Sequence, residues 1–257
     1  MTSWVAGPSL CPVYRVRTRV PFVSSITVLL VHGIRTSSSM WARVQADLDA
    51  AGVPSIAVDL PGHGRRMTEE FTLDAADETL ERAAAEAPGH VVPVGLSLGG
   101  YLTLRWAART DVSVAGVLAA SCAVRPRGLP LAAYLAIAGL IHQLPDRGRR
   151  LHDLTTHAIL GGVAAREVSA GGVALDAMVP TLHAMRGVDP LADLARLEVP
   201  VWLVNGAWDH FRLQESRFAR AASCARRVRI RGAGHVLTAD RPHELARLVR
   251  TLVQSVA

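Results

Sequence analysis

"PVGLSLGGYL", residues 93–102, sets one serine, Ser97, between Gly95 on one side and Gly99 and Gly100 on the other, directly after an apolar run. A hydroxyl is a poor nucleophile at neutral pH. To attack a carbonyl it needs a base within hydrogen-bond reach, and it must stand clear of its own backbone. A sharp strand-to-helix turn provides that clearance, but it crowds the positions two before and two after the nucleophile, where only residues with little or no side chain fit. Gly95 and Gly99 occupy those positions. "HVVPVG" (90–95) before the serine reads as a strand and "GGYLTLRWAART" (99–110) after it as a helix, so the stretch predicts a serine displayed on such a turn.

On both sides of this turn, short apolar runs rich in β-branched residues alternate with longer segments of helical period. That is the pattern of βα units and of a doubly wound, mostly parallel sheet covered on both faces. The strands predicted are "ITVLLV" (26–31), "SIAVDL" (55–60), "HVVPVG", "VAGVLAA" (114–120) and "VPVWLVN" (199–205), with "RVRIR" (227–231) as an edge strand whose arginines alternate with Val228 and Ile230. Helices are expected over 38–52, over 72–88 with Thr72 as N-cap and Pro88 as a stop, over 99–110, and over 242–256. Ahead of "ITVLLV" only "VYRVRTRV" (13–20) reads as a strand. Residues 125–190 break the rhythm with helical segments and no strand, which reads as an insertion into a core made of 1–124 and 191–257.

Composition narrows the chemistry. The 257 residues are 50% hydrophobic and 19% charged, as in a soluble globular protein, and the net charge of +6 is carried without a single lysine. Phosphate-loop and Schiff-base lysines are therefore excluded. Six arginines in Arg217–Arg231 are interleaved with one aromatic residue, Phe218, so no nucleic-acid partner is expected. The apolar stretches are broken by proline and glycine and fall short of the ~20 residues a membrane span needs, and no signal peptide is read at the N-terminus. Cys11, Cys122 and Cys224 are odd in number and far apart, so neither a disulfide framework nor a zinc site is expected, and a reducing cytoplasm fits best. His142, His152, His157 and His183 lack metal-ligand spacing and no H-E-x-x-H occurs, so no metal and no cofactor are expected.

The G-x-S-x-G turn on its strand and helix, with "LLVHGI" (29–34) and "DLPGHG" (59–64) before it, resembles the α/β-hydrolase fold family over nearly the whole chain. In that family the partners follow in the order serine, acid, histidine. "GAWD" (206–209), after the strand "VPVWLVN", resembles the family's acid position and implies Asp209. "GAGH" (232–235), after "RVRIR", implies His235. The resemblance further implies an oxyanion hole from the backbone N–H groups of Leu98 and Ile34, and a helical cap over the serine formed by 125–190. Arg65 and Arg66 depart from the family, standing where many members carry serine. His32 and His63 are expected to hold loops, and His210 to be a neighbour of the acid rather than a second base.

In such a cap "LPLAAYLAIAGLIHQL" (129–144) is apolar almost all round, so a substrate with an apolar group is expected, with Leu140 and Ile141 lining its pocket. Arg35, next to the oxyanion residue, is a candidate to pair a substrate carboxylate, and Arg65, Arg66 and Arg212 lie on loops at the same end of the sheet. The reaction expected is hydrolysis of a small-molecule carboxylic ester through an acyl-enzyme. Thioester, enol-lactone or carbon–carbon hydrolysis, or slow-turnover ligand binding, are the alternatives that the same fold serves.

Overall fold

The computed structural model describes the backbone of residues 4–6 and all of residues 25–257. Strands β1 (Trp4–Ala6), β2 (Ile26–Val31), β3 (Ser55–Val58), β4 (His90–Leu96), β5 (Val117–Ala120), β6 (Val201–Gly206) and β7 (Ala225–Ile230) form one sheet in the order β1-β7-β6-β5-β4-β2-β3. β2 to β7 are parallel, and β1 runs antiparallel against β7.

The strands read as continuous apolar runs because both faces are covered. In β2 alternate residues go to opposite layers: Leu29 and Val31 pack into one hydrophobic cluster, Ile26, Val28 and Leu30 into the other. The first layer takes Leu80 of α2 (Leu73–Ala85), Leu102 of α3 (Leu98–Ala107) and Phe218 further along the chain. The second takes Val44 and Leu48 of α1 (Ala42–Asp49) and, from the C-terminal helix Pro242–Val256, Leu245, Leu248, Val249 and Leu252. Thr72 caps α2 as expected, its hydroxyl accepting from the Ala75 amide at 3.0 Å.

Between β5 and β6 the chain forms α4 (Gly128–His142), α5 (Arg149–Leu160), α6 (Gly162–Val168) and α7 (Met178–Ala184), with no strand. It returns to the sheet through α8 (Pro190–Arg196). Among the described residues no helix is long and apolar enough to cross a membrane.

Three expectations are corrected or fall away. "RVRIR" is no edge: β7 is held between β6 and β1, and Val228 and Ile230 are core residues. The strand expected over 13–20 lies outside the described residues. Cys224 is disulfide-bonded, while Cys122 is buried and free; the ground for expecting a reducing compartment is thereby removed.

The sheet order turns at β2. The chain passes from β2 outward to β3, then returns to the other side of β2 to form β4, so a crevice opens between the carboxyl ends of β2 and β4. The loop after β2 and Ser97 after β4 both sit there.

Candidate active site

The turn between β4 and α3 is as tight as the sequence predicts. Ser97 sits at φ 56°, ψ −114°, a left-handed conformation that a non-glycine residue keeps only when its surroundings enforce it. The surroundings are backbone. A Cβ on Gly95 would come within 2.1 Å of the Gly99 carbonyl oxygen, and one on Gly99 within 2.1 Å of the Val31 carbonyl oxygen. A Cβ on Gly100 would meet the Cys122 sulfur at 2.7 Å. The glycines thus let α3 start directly against the ends of β2 and β5.

Asp209 and His235 arrive from the loops after β6 and β7. These loops touch through backbone at Gly206, where a Cβ would lie 2.1 Å from the Gly234 carbonyl oxygen. The Ser121 hydroxyl, at the end of β5, donates to the His235 carbonyl at 2.9 Å and fixes that loop from below. The three side chains form one hydrogen-bonded chain: Ser97 Oγ to His235 Nε2 at 3.1 Å, and His235 Nδ1 to Asp209 Oδ1 at 3.0 Å. Burial works against the Asp209 carboxylate. The hydrogen bond and charge of His235, with a 2.8 Å donation from the Phe211 amide, outweigh it and hold the carboxyl below its usual range. An ionised carboxylate only accepts, so Nδ1 of His235 carries the proton and Nε2 is left to accept from Ser97.

On the other side of Ser97 lies the loop after β2. A Cβ on Gly33 would be 3.6 Å from the Ser97 Cβ, which shows how closely this loop passes. His32, fully buried, holds it: Nδ1 donates to the Gly33 carbonyl at 2.8 Å and Nε2 accepts from the Leu60 amide at 3.0 Å. Burial, reinforced by the neighbouring His63, pushes His32 down to about 3, so it is neutral. The Gly33 amide is taken up by Met40 Sδ and the Gly33 carbonyl also accepts from the Thr36 hydroxyl at 2.8 Å. Among the described residues the amides of Ile34 and Leu98 donate to no protein acceptor.

Asp59 anchors the next loop through the Ser38 amide at 2.7 Å and Arg65 Nε at 3.0 Å, and these donations overcome its burial to keep it ionised. His63, also buried, bonds the Pro61 carbonyl at 2.9 Å; both His32 and His63 therefore hold loops. His210 is exposed, its ring 5.2 Å from that of His235. Asp209, His210 and His235 present ligand atoms within 4.8 Å of one another, but a cation there would compete for the His235 nitrogens that already bond Asp209 and Ser97.

Above the crevice, α4 lies on α7. Leu131 and Ala138 pack with Met178 and Leu182, and the half-buried Ile34, Tyr134 and Leu135 close against them. The face of α4 turned to Ile34 is therefore Leu131-Tyr134-Leu135-Ala138, at the i, i+3, i+4, i+7 spacing of one helical stripe. Leu140 is on the opposite side of the helix and 66% exposed, so the structure does not bring it to Ser97. Ile141 lies at the flank, against the Gly148 turn. Tyr134 and Met178 were missed by sequence reasoning; Tyr134 was detectable as the residue in this apolar helix with a phenolic hydroxyl.

Residues 28–248 match the family model for the alpha/beta hydrolase family, and the chain belongs to that family. It is 25% identical over 237 residues to the pimeloyl-[acyl-carrier protein] methyl ester esterase of Yersinia pseudotuberculosis, covering 86% of this chain and 91% of the relative. It is 38% identical over 89 residues to Esterase Rv0045c of Mycobacterium tuberculosis, a match that spans 33% of this chain and 29% of the relative. Among solved structures, a thermophilic esterase from Thermogutta terrifontis superposes with a TM-score of 0.75 at 20% identity, covering 91% of each chain.

Proposed function

We propose that this protein is a serine hydrolase that cleaves a carboxylic ester of a small molecule through an acyl-enzyme. The observation that carries the reading is the continuous hydrogen-bonded chain from Ser97 Oγ through His235 to the ionised Asp209, on a turn strained to expose the serine. Ser97 Oγ attacks the ester carbonyl carbon while its proton passes to His235 Nε2. Asp209 orients the ring and stabilises the imidazolium. The tetrahedral oxyanion is bound by the Ile34 and Leu98 amides, each such donor contributing roughly 3–4 kcal/mol to the barrier reduction. The C–O bond then breaks, the leaving alcohol takes the proton from His235, and water repeats the cycle on the acyl-enzyme. No metal or cofactor enters these steps.

Residues 125–190 act as a helical cap over a core of 1–124 and 191–257. The apolar stripe on α4, facing Ile34 across from Met178, supports a substrate with an apolar group beside the scissile carbonyl. The esterase names of the relatives agree with an ester as substrate. Replacing Ser97 by alanine removes one hydroxyl and should leave the fold intact, yet lower kcat for p-nitrophenyl esters by roughly 10⁴- to 10⁶-fold. Residual activity above a hundredth of the wild type contradicts the assignment.

A further inference from the structure

Of the four arginines that the sequence singles out at this end of the sheet, Arg65, Arg66 and Arg212 are already paired. Arg65 binds Asp59 at 3.0 Å, Arg66 binds Glu69 at 2.5 Å, and Arg212 lies 3.9 Å from Glu215. Arg35 differs. Among the described residues it has no carboxylate within ion-pair distance, and its guanidinium makes one contact, Nη1 to Met178 Sδ at 4.0 Å. It is half-buried, under the α4–α7 pair.

Its backbone is held in place from both directions. Arg35 adopts φ 65°, a left-handed conformation costly for a side-chain-bearing residue, and its carbonyl accepts from the Ala174 amide at 3.1 Å. The turn aims the side chain away from the sheet toward the apolar wall of Met178. Nearby are two further polar groups: Tyr134, whose phenol is felt by the Arg35 charge, and His152 of α5, which is buried with Nδ1 making no hydrogen bond among the described residues. Burial and the Arg35 charge push His152 down to about 4, so it adds no second positive charge there. A half-buried guanidinium next to a neutral histidine, with no carboxylate of the described residues in ion-pair distance, is a cation that the carboxylate of a bound molecule can pair.

We infer that the substrate is an ester bearing a carboxylate a few bonds from the scissile carbonyl, and that Arg35 binds this carboxylate beneath α4 and α7. The inference rests on the serine-hydrolase reading. Arg35 directly follows Ile34, with consecutive Cα atoms about 3.8 Å apart, so one small molecule can reach both the Ile34 amide and the guanidinium. The planar fork of arginine suits a carboxylate in two parallel hydrogen bonds, and the apolar wall of Met178 and Leu135 accommodates the methylenes between the two functional groups.

The test compares the p-nitrophenyl half-ester of glutaric acid with p-nitrophenyl butyrate, in the full chain. The readout is the ratio of kcat/KM for the anionic over the neutral ester. In Arg35→Gln this ratio should fall roughly 10- to 100-fold, the worth of a charge-assisted pair, chiefly through KM of the half-ester. Arg35→Lys should recover part of it, since it restores charge without the fork. Arg150→Gln, an exposed arginine on the outer side of α5, serves as a control for general loss of positive charge and should leave the ratio unchanged. A ratio that stays within threefold of wild type in Arg35→Gln, or that falls equally in Arg150→Gln, overturns the proposal. If the wild type hydrolyses the butyrate and not the half-ester, the carboxylate site is wrong while the hydrolase reading stands. If it hydrolyses neither and Ser97 is unreactive, the hydrolase reading itself fails.

Discussion

Replacing Gly99 with alanine adds one methyl group at the most crowded point of the molecule. The new Cβ would lie 2.1 Å from the Val31 carbonyl oxygen, 2.6 Å from the Val31 carbonyl carbon and 2.7 Å from the His32 carbonyl oxygen. All three atoms are backbone, so no side chain can swing aside, and relief requires the end of β2 and α3 to separate by an ångström or more. Overpacking of this kind costs about 1–3 kcal/mol, which for a chain of this size corresponds to a fall in Tm of roughly 2–12 °C. The kinetic effect should be larger than the stability effect. The displaced segment leads directly to Ile34, whose amide is proposed to meet the oxyanion, and a misplacement of about 1 Å in such a site costs on the order of 100-fold in rate. Differential scanning calorimetry and steady-state hydrolysis of p-nitrophenyl acetate measure the two. A Gly99→Ala variant with wild-type Tm and kcat within threefold would refute the claim that these glycines set the distance between the serine and the oxyanion loop.

Two further outcomes are expected. His32 titrates at 6.5 in the unfolded chain and at about 3 in the fold, so between those values the unfolded state holds the extra proton; stability is full above pH 6.5 and drains as pH falls toward 3, by up to about 5 kcal/mol from this residue alone. Thermal melts from pH 7 to pH 4.5 should show a progressive loss, and a flat profile contradicts the neutral, loop-holding role of His32. For neutral p-nitrophenyl esters kcat/KM should climb about three- to fourfold per methylene until the pocket is full, because each buried CH₂ is worth about 0.8 kcal/mol. Leu135→Asp, on the inner stripe of α4, should flatten that climb; a profile that falls steadily from acetate would reject an apolar pocket.

The features legible in the sequence were those set by local sterics. Gly95 and Gly99 flank Ser97 because a Cβ at either position would lie 2.1 Å from a backbone oxygen, and any such requirement leaves its mark on residue identity. The strands of the parallel core were legible because residues buried on both faces leave uninterrupted apolar runs. β3 ends at Val58 rather than at residue 60 because Asp59 is taken by the Ser38 amide and Arg65 as the chain turns.

What escaped depends on partners distant in the chain. "RVRIR" carries the alternation of an edge strand, yet whether a strand is an edge is decided by who pairs with it, and the three residues of β1 are too short to announce themselves. The lining face of α4 escaped for another reason. Helix α4 is apolar all round, so its period carries no direction, and the choice of Leu140 over Tyr134 or Leu135 had no physical basis until α7 was seen to lie against one side. Arginines are equally ambiguous: Arg35, Arg65, Arg66 and Arg212 look alike in the sequence, and only the positions of Asp59, Glu69 and Glu215 separate the paired from the unpaired.

The central claim, that Ser97 is activated by His235 to attack a carbonyl, is tested most directly by covalent trapping. A fluorophosphonate should add to the native protein once per chain, with tandem mass spectrometry placing the adduct on Ser97, and the rate of addition should fall by several orders of magnitude in His235→Ala. Adduct on another residue, or addition to Ser97 at an undiminished rate without His235, would contradict it.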